Sequence, residues 1–163
     1  MKLNEKVLAA LNEQVKLELN SAYVYLGMSL DMADAHFNGY STWLRKQYQE
    51  EMEHAYKLIS YIQGRQGKVE LGAIAAYKGA YTCPLETAKA VLAHEEAVTR
   101  SIHALYELAD DEDDLATQNL IQWYITEQIE EESTAQDVID RFAMTNGNIG
   151  GMMIIDSQLG ARQ

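Results

Sequence analysis

The sequence predicts an all-α protein built from four long helices, and three observations support that class. The 163-residue chain contains a single proline and ten glycines, so long segments run without a helix breaker. Those segments are rich in Ala, Leu, Glu, Lys and Gln, which favour helices over sheets. Each also carries apolar residues at three-four spacing, as in Leu11, Val15 and Ala22, which places an apolar stripe along one helix face.

The first two helices are predicted to form an antiparallel hairpin. Asn4 is a suitable N-cap for a first helix that extends to about Ala35. Residues 36–39 interrupt the helical pattern, and a second helix is predicted from about Tyr40 to Gln66. Because the connection is short, the two helices should lie side by side in opposite directions.

The second hairpin follows a longer connection, in which the helical period lapses and three glycines occur. That connection is too long for a tight turn but could span a bundle from end to end. Pro84 suits the start of a third helix that runs to about Ala109. The acidic run 110–114 is interpreted as a solvated loop, and it leads into a fourth helix from about Leu115 to Met144.

The remaining segment, at about 149–160, is predicted to form a short and unusually apolar fifth helix. Two helical hairpins joined by one long crossover make an up-down four-helix bundle, here at about 4–144. The whole chain, 1–163, is therefore interpreted as one domain. In a monomer the apolar side chains of the fifth helix would be exposed to solvent, so we expect a symmetric homo-oligomer.

Composition argues against several classes of partner. With 25 acidic against 13 basic residues, the formal charge is −12, whereas nucleic acids and anionic membranes require basic surfaces. The single Cys83 excludes an internal disulfide framework and fits a reducing compartment. No apolar run of the signal-peptide or membrane-spanning type is present. We therefore expect a cytoplasmic protein with neither nucleic-acid nor membrane partners.

An acidic residue interrupts the apolar stripe near the middle of each long helix: Glu18, Glu51, Glu95 and Glu131. Glutamate is almost never fully buried unless it is paired or binds a metal, and an isolated buried carboxylate costs several kcal/mol. Four converging acids would also repel one another. A pair of divalent metal ions between them is the simplest explanation.

The pair Glu51 and His54 has the Glu-x-x-His spacing that puts both side chains near one helix face. This pattern is weak alone, but the similar depth of the four acids strengthens it. Carboxylates with one imidazole suit iron or manganese, with zinc as a competitor, and can bridge two ions about 3.5–4 Å apart. A ferrous pair could deliver two electrons to dioxygen. Neutral Gln128 would lower the ligand charge and weaken retention of oxidised iron.

Several stretches resemble the non-haem ferritins of bacteria and archaea, and together they cover essentially the full length of the chain. The matching stretches are residues 11–14 (LNEQ) with Glu18 and Tyr25, residues 49–54 (QEEMEH), His94 with Glu95, and residues 122–132 (QWYITEQIEEE). The family's ferritin-like bundle supplies iron ligands from all four helices. The resemblance therefore implies both a fold and a set of ligands.

By this resemblance, two irons would share a carboxylate-rich site that Glu51 bridges. The ligands implied for the first iron are Glu18, Glu51 and His54. Those implied for the second iron are Glu51, Glu95, Gln128 and Glu131. A third, weaker site would draw on Glu50, Glu127, Glu130 and Glu131.

The resemblance also implies an activity and an assembly. Such proteins form a 24-subunit shell that oxidises Fe(II) with O2 or H2O2 and stores Fe(III) as a mineral. Tyr25 and Trp123 would be candidate donors of an extra electron. No haem is expected, because Gln128-x-x-Glu131 stands where a bacterioferritin has a second Glu-x-x-His.

Plainer interpretations remain open at this level. Glu127 and Glu130 could belong to a solvated helix face, and Tyr25 could be an ordinary core tyrosine. Two other functions also fit the pattern. One is a di-iron peroxidase that stores no iron, and the other is a non-catalytic helical-bundle binding module whose acids are protonated or solvated.

Overall fold

The computed structural model describes residues 2–161, and this part of the chain contains five α-helices and no strand. The helices, in chain order, are α1 Glu5–Asp34, α2 Asn38–Gly64, α3 Pro84–Asp111, α4 Leu115–Met144 and α5 Ile149–Gly160. The all-α class, the four long helices and the short fifth helix are thus confirmed. None of the helices in the described range has the length and apolar character that crossing a bilayer requires.

The bundle consists of two packed hairpins, α1 with α2 and α3 with α4. The connection between them runs along α1 and is fixed to it at two points. Near the start of α1, the Asn12 side chain pairs with the backbone of Lys68 and Glu70. Near its end, Asp31 accepts hydrogen bonds from the Tyr77 hydroxyl and the Tyr81 N–H. With a rise of about 1.5 Å per residue, these anchors lie roughly 28 Å apart, so the crossover spans the bundle lengthwise as predicted.

A close approach between the crossover and α1 requires a glycine. A Cβ atom at Gly27 would lie 2.5 Å from the Tyr77 ring. The absent side chain lets this ring pack against the α1 backbone, from where its hydroxyl reaches Asp31 at 2.6 Å.

The start of α2 differs from the prediction, because the helix begins at Asn38 rather than at Tyr40. His36 adopts a left-handed φ of 65° and ends α1, after which the chain re-enters a helix almost at once. The cap comes from α5: the Asp156 carboxylate accepts hydrogen bonds from the N–H groups of Gly39 at 3.0 Å and Tyr40 at 2.7 Å. The cap of α2 therefore comes from a residue 116 positions away in the chain, and the N-cap residue Phe37 itself makes no side-chain cap bond.

We expect Asp156→Ala to destabilise the protein by about 2 kcal/mol, because it removes a helix cap made of two bonds to a buried carboxylate. Asp156 is 6% exposed. Thermal unfolding of metal-free protein at one fixed concentration measures the effect. The matched control is Asp137→Ala, which removes an exposed carboxylate that lies 3.7 Å from the Arg141 guanidinium. Equal shifts in the two variants would contradict the capping role.

The acidic run 110–114 is not simply a solvated loop, which corrects the sequence interpretation. Asp114 is 8% exposed and caps α4 by accepting from the Thr117 N–H. Arg65, at the end of α2, donates to both of its carboxylate oxygens at 2.7 and 2.8 Å. Burial alone would raise the pKa of Asp114, but the bonds from Arg65 and Thr117 outweigh it, and the pKa lies below its ordinary value.

Candidate metal centre

A polar layer divides the apolar core into two clusters. One cluster contains Tyr25, Leu44, Val91 and Phe142, and the other contains Leu11, Leu58, Ile102 and Ile121. On every long helix, the residues between these clusters are polar and buried, with at most 6% exposure: Glu18, Gln47, Glu51, His54, Glu95 and Gln128. Glu18, Glu51 and Glu95 therefore lie at one level, whereas on α4 the buried residue at that level is Gln128.

Three of these side chains form a compact group that could hold a metal ion. Glu18, Glu51 and His54 each offer a ligand atom, and these atoms lie within 4.8 Å of one another. His54 Nδ1 is 3.5 Å from Glu51 Oε2 and 4.0 Å from Glu18 Oε2. Within residues 2–161, nothing hydrogen-bonds the buried Glu51 Oε2. A buried acceptor of this kind is satisfied by a bound cation.

Glu95 faces this group from α3 and is held by two donors. The Tyr25 hydroxyl donates a short hydrogen bond to its Oε1, and Gln128 Nε2 donates to its Oε2 at 3.1 Å. The amide nitrogen of Gln128 thus points at Glu95, which leaves the amide oxygen as the only atom that could ligate a metal. His94 is a packing histidine here: its Nε2 lies 2.8 Å from Ser21 Oγ.

Glu131 completes the set of acids from α4 and is only partly buried. One of its oxygens accepts from Gln47 Nε2 at 2.8 Å. Gln128 and Glu131 therefore have different surroundings, although both were predicted as ligands of the second iron. The first is an interior amide bound to Glu95, and the second is an acid at the edge of the layer.

The electrostatics of the layer favour positive charge. Burial raises the pKa of Glu18 well above its ordinary value, and the charge of Glu51 adds to the effect. Burial also raises the pKa of Glu51 well above its ordinary value, and the charge of Glu95 is the next largest cause. Burial raises the pKa of Glu131 to about 7, with contributions from Glu95 and Glu50. Binding either protons or divalent cations compensates the buried negative charge and relieves the repulsion among these acids.

A cavity of about 450 Å³ opens beside the layer, and all four acids predicted for a third iron site line it. Its lining includes Glu50, Glu127, Glu130 and Glu131, together with Glu53, His54, Lys57, Trp123 and Thr134. Lys57 Nζ lies 3.6 Å from the centroid of the Trp123 ring, and that ring packs edge-on against His54. Lys57 was missed by the sequence reasoning, although it follows His54 by three residues on the same helix face.

Two buried glutamines were also missed as parts of the site. Gln14 is 2% exposed and donates to Glu18 Oε1 at 2.7 Å, while Gln47 donates to Glu131. Each precedes an acid of the layer by four residues and so shares its helix face. With Gln128, three amides donate to carboxylates of the layer. A neutral amide donates a hydrogen bond to a carboxylate oxygen and leaves the negative charge of the carboxylate in place. A lysine or arginine would make the same bond but would cancel that charge.

Comparison with known proteins gives a consistent result over nearly the full chain. A family profile described as the ferritin-like domain matches residues 8–145. The bacterial non-heme ferritin of Bacteroides fragilis strain 638R is 38% identical over 160 residues, which cover 98% of this chain and 99% of that protein. The bacterial non-heme ferritin of Staphylococcus haemolyticus is 34% identical, with coverages of 98% and 96%.

Solved structures show the same similarity at the level of the fold. The open pore ferritin from the hyperthermophilic archaeon Archaeoglobus fulgidus superimposes with a TM-score of 0.97 and 37% sequence identity. The match covers 99% of this chain and 100% of the archaeal one. The long crossover and the short C-terminal helix both lie within that match.

Proposed function

The chain belongs to the ferritin family, and on that premise we propose that it is a ferroxidase and an iron store. Fe(II) binds as a pair in the polar layer, is oxidised there, and is stored as an Fe(III) mineral inside a protein cage. The observation that carries the proposal is the buried group of Glu18, Glu51 and His54, in which a carboxylate oxygen has no hydrogen-bond donor among the described residues.

The proposed ligands follow the positions of the side chains around the layer. Glu51 lies centrally, and both Glu18 and Glu95 act on its pKa, which supports its role as the bridge between two irons. The first iron is assigned to Glu18, Glu51 and His54. The second iron is assigned to Glu51, Glu95, Gln128 and Glu131.

The proposed reaction balances with either oxidant. Two Fe(II) become two Fe(III) and supply two electrons, which with two protons convert O2 to H2O2. If H2O2 is the oxidant, the same electrons and protons convert it to two waters. The buried carboxylates favour this direction, because a layer of uncompensated negative charge stabilises the product ions more than the ferrous ones.

An extra electron, where one is required, is assigned to Tyr25 rather than to Trp123. The Tyr25 hydroxyl donates to Glu95, so its proton can pass to that carboxylate as the electron leaves the ring. Burial and the charge of Glu95 raise the pKa of Tyr25 well above its ordinary value, which disfavours loss of the proton alone. Oxidation of Trp123 would create a second positive charge beside the Lys57 ammonium.

The acid-lined cavity is proposed as the third iron site, formed by Glu50, Glu127, Glu130 and Glu131. It adjoins both His54 and Glu131, so iron that leaves the pair can pass directly into it. Glu50 and Glu127 are half-buried and Glu130 is exposed, unlike the buried acids of the polar layer, which suits weaker and transient binding.

The cage is proposed to contain 24 subunits and to reside in the cytoplasm. Support for assembly comes from α5, where Ile149 and Ile154 are 64% and 61% exposed in the single chain. Apolar side chains on one short helix form a patch that contact with other subunits would cover.

Assembled mass and iron content per particle test the proposal together. Twenty-four chains of 18.4 kDa give about 440 kDa. After aerobic loading with Fe(II), we expect many more irons per particle than the three sites of each subunit could hold. A di-iron peroxidase would hold only two or three irons per chain. A binding module would stay small in light scattering and would bind no iron, and either result would contradict storage.

A further inference from the structure

Gln14 is a buried residue of α1, and both ends of its side-chain amide are in contact with polar groups, one on α1 and one on α3. Its Nε2 donates to Glu18 Oε1 at 2.7 Å, and its Oε1 lies 2.9 Å from the Ser101 hydroxyl on α3. The same hydroxyl is 2.8 Å from the carbonyl oxygen of Val98. Because a carboxylate only accepts, the Nε2 end of the Gln14 amide faces Glu18, and the single Ser101 proton is shared between Gln14 Oε1 and the Val98 carbonyl oxygen.

The two carboxylate oxygens of Glu18 have different neighbours. Oε1 is occupied by the amide donor, while Oε2 is the oxygen that faces His54 Nδ1, at 4.0 Å. The Glu18 side chain is 1% exposed and Gln14 is 2% exposed, so water does not compete for either group. One oxygen of the carboxylate is therefore occupied by a donor, while the other faces His54.

We propose that Gln14, whose amide oxygen also contacts the Ser101 hydroxyl, is a positioning residue that restricts Glu18 to ligating the first iron through one oxygen. The inference rests on the proposed function, since it concerns the same site. Hydrogen-bond partners behind a ligand commonly set its orientation and tune the metal.

Restricting Glu18 in this way has a chemical consequence. A carboxylate that binds through both oxygens fills two coordination positions, whereas one that binds through a single oxygen leaves a position for the oxidant. Gln14 is neutral, so it directs Glu18 without reducing the negative charge that attracts Fe(II). A lysine or arginine at this position would satisfy the same oxygen but would repel the incoming cation.

Co(II) substitution of the metal-free protein tests the inference, because Co(II) does not undergo the oxidation. Its visible d–d absorption weakens as the coordination number rises. In Gln14→Leu, Glu18 can rotate and bind through both oxygens, so we expect weaker absorption per bound Co(II) than in wild type. We also expect initial Fe(II) oxidation to slow by about tenfold. An unchanged Co(II) spectrum overturns the inference, whatever the rate.

The matched control is Gln118→Leu. Gln118 is another buried glutamine whose amide donates to a carboxylate, that of Asp110 at 2.8 Å, but it lies outside the polar layer. Its loss removes a similar bond and should leave the Co(II) spectrum as in wild type. A spectral change of equal size in this control would overturn the inference, because it would show a general loss of packing.

If Gln14→Leu does not fold, a second pair of variants, at Ser101, tests the positioning role of Gln14. Ser101→Ala frees the amide of Gln14 and should shift the Co(II) spectrum in the same direction by a smaller amount. Ser101→Thr keeps the hydroxyl and should restore the wild-type spectrum, and failure of this rescue overturns the inference. If wild type itself bound no Co(II) and oxidised no Fe(II), the proposed function would fall as well. A competent wild type with an indifferent Gln14→Leu would overturn only the role of Gln14.

Discussion

Replacing Glu51 and His54 together by alanine should abolish the rapid oxidation of Fe(II). The double variant removes the proposed bridge between the irons and the only imidazole of the buried group. Loss of a partner behind a metal ligand already costs about 10–100-fold in affinity or activity, so we expect loss of two ligands to exceed 100-fold. The measurement is near-ultraviolet absorbance of ferric species after Fe(II) is added in air to metal-free protein.

The matched control for this variant is His103→Ala with Glu107→Ala. These two residues are also a histidine and a glutamate on one face of a long helix, but both are exposed on α3. The control should oxidise Fe(II) at the wild-type rate. If the Glu51/His54 variant oxidised iron as fast as the control, catalysis at the polar layer would be wrong.

The helices were predictable from the sequence because the signals that start and end them are local. Pro84 lies at the first position of α3, and Asn4 caps α1 by accepting from the Lys6 N–H. The start of α2 was predicted two residues too late, because its cap is Asp156, which lies far along the chain. The role of Asp114 was not visible in the sequence for the same reason, since its ion-pair partner is Arg65 at the end of another helix.

The candidate site was predictable to a similar extent and for similar reasons. An acid within an apolar stripe is visible in sequence, so Glu18, Glu51 and Glu95 could be expected to meet. The groups that orient these acids leave a weaker signal, because a buried glutamine such as Gln14 has the same local pattern as a surface one. Which carboxylate each amide binds depends on helix packing: Gln47 precedes Glu51 by one turn, yet it donates to Glu131.

The metal-free protein should become more stable as the pH falls from about 7 to about 4.5. The pKa of Glu131 is about 7 in the folded chain, against an ordinary value of 4.5, so the folded state binds more protons than the unfolded state in this window. Stability therefore rises as protons are added and is lost as the pH rises through the folded pKa. Glu18 and Glu51, whose pKa values are also raised, act in the same direction.

The size of this effect can be isolated with one substitution. A tenfold change in a proton dissociation constant corresponds to about 1.4 kcal/mol. The ionised Glu131 therefore lowers the free energy of unfolding by up to about 3 kcal/mol at neutral pH. Glu131→Gln should stabilise the metal-free protein by about that amount at pH 7.5 and by little near pH 4.5. Thermal unfolding of wild type and of Glu131→Gln, at fixed protein concentration across this pH range, measures the difference.

Divalent cations should reverse this pH dependence, because they neutralise the same carboxylates that protons do. With saturating Co(II), stability at pH 7.5 should exceed that of the metal-free protein, and the gain should shrink toward pH 5 as protons compete for the ligands. The Asp114 pair with Arg65 does not interfere, since its stabilisation is lost only as the pH falls below the ordinary aspartate pKa of 3.8. A metal-free protein whose stability increased from pH 5 to pH 7.5 would contradict the buried acid cluster, and with it the reason that the layer binds cations.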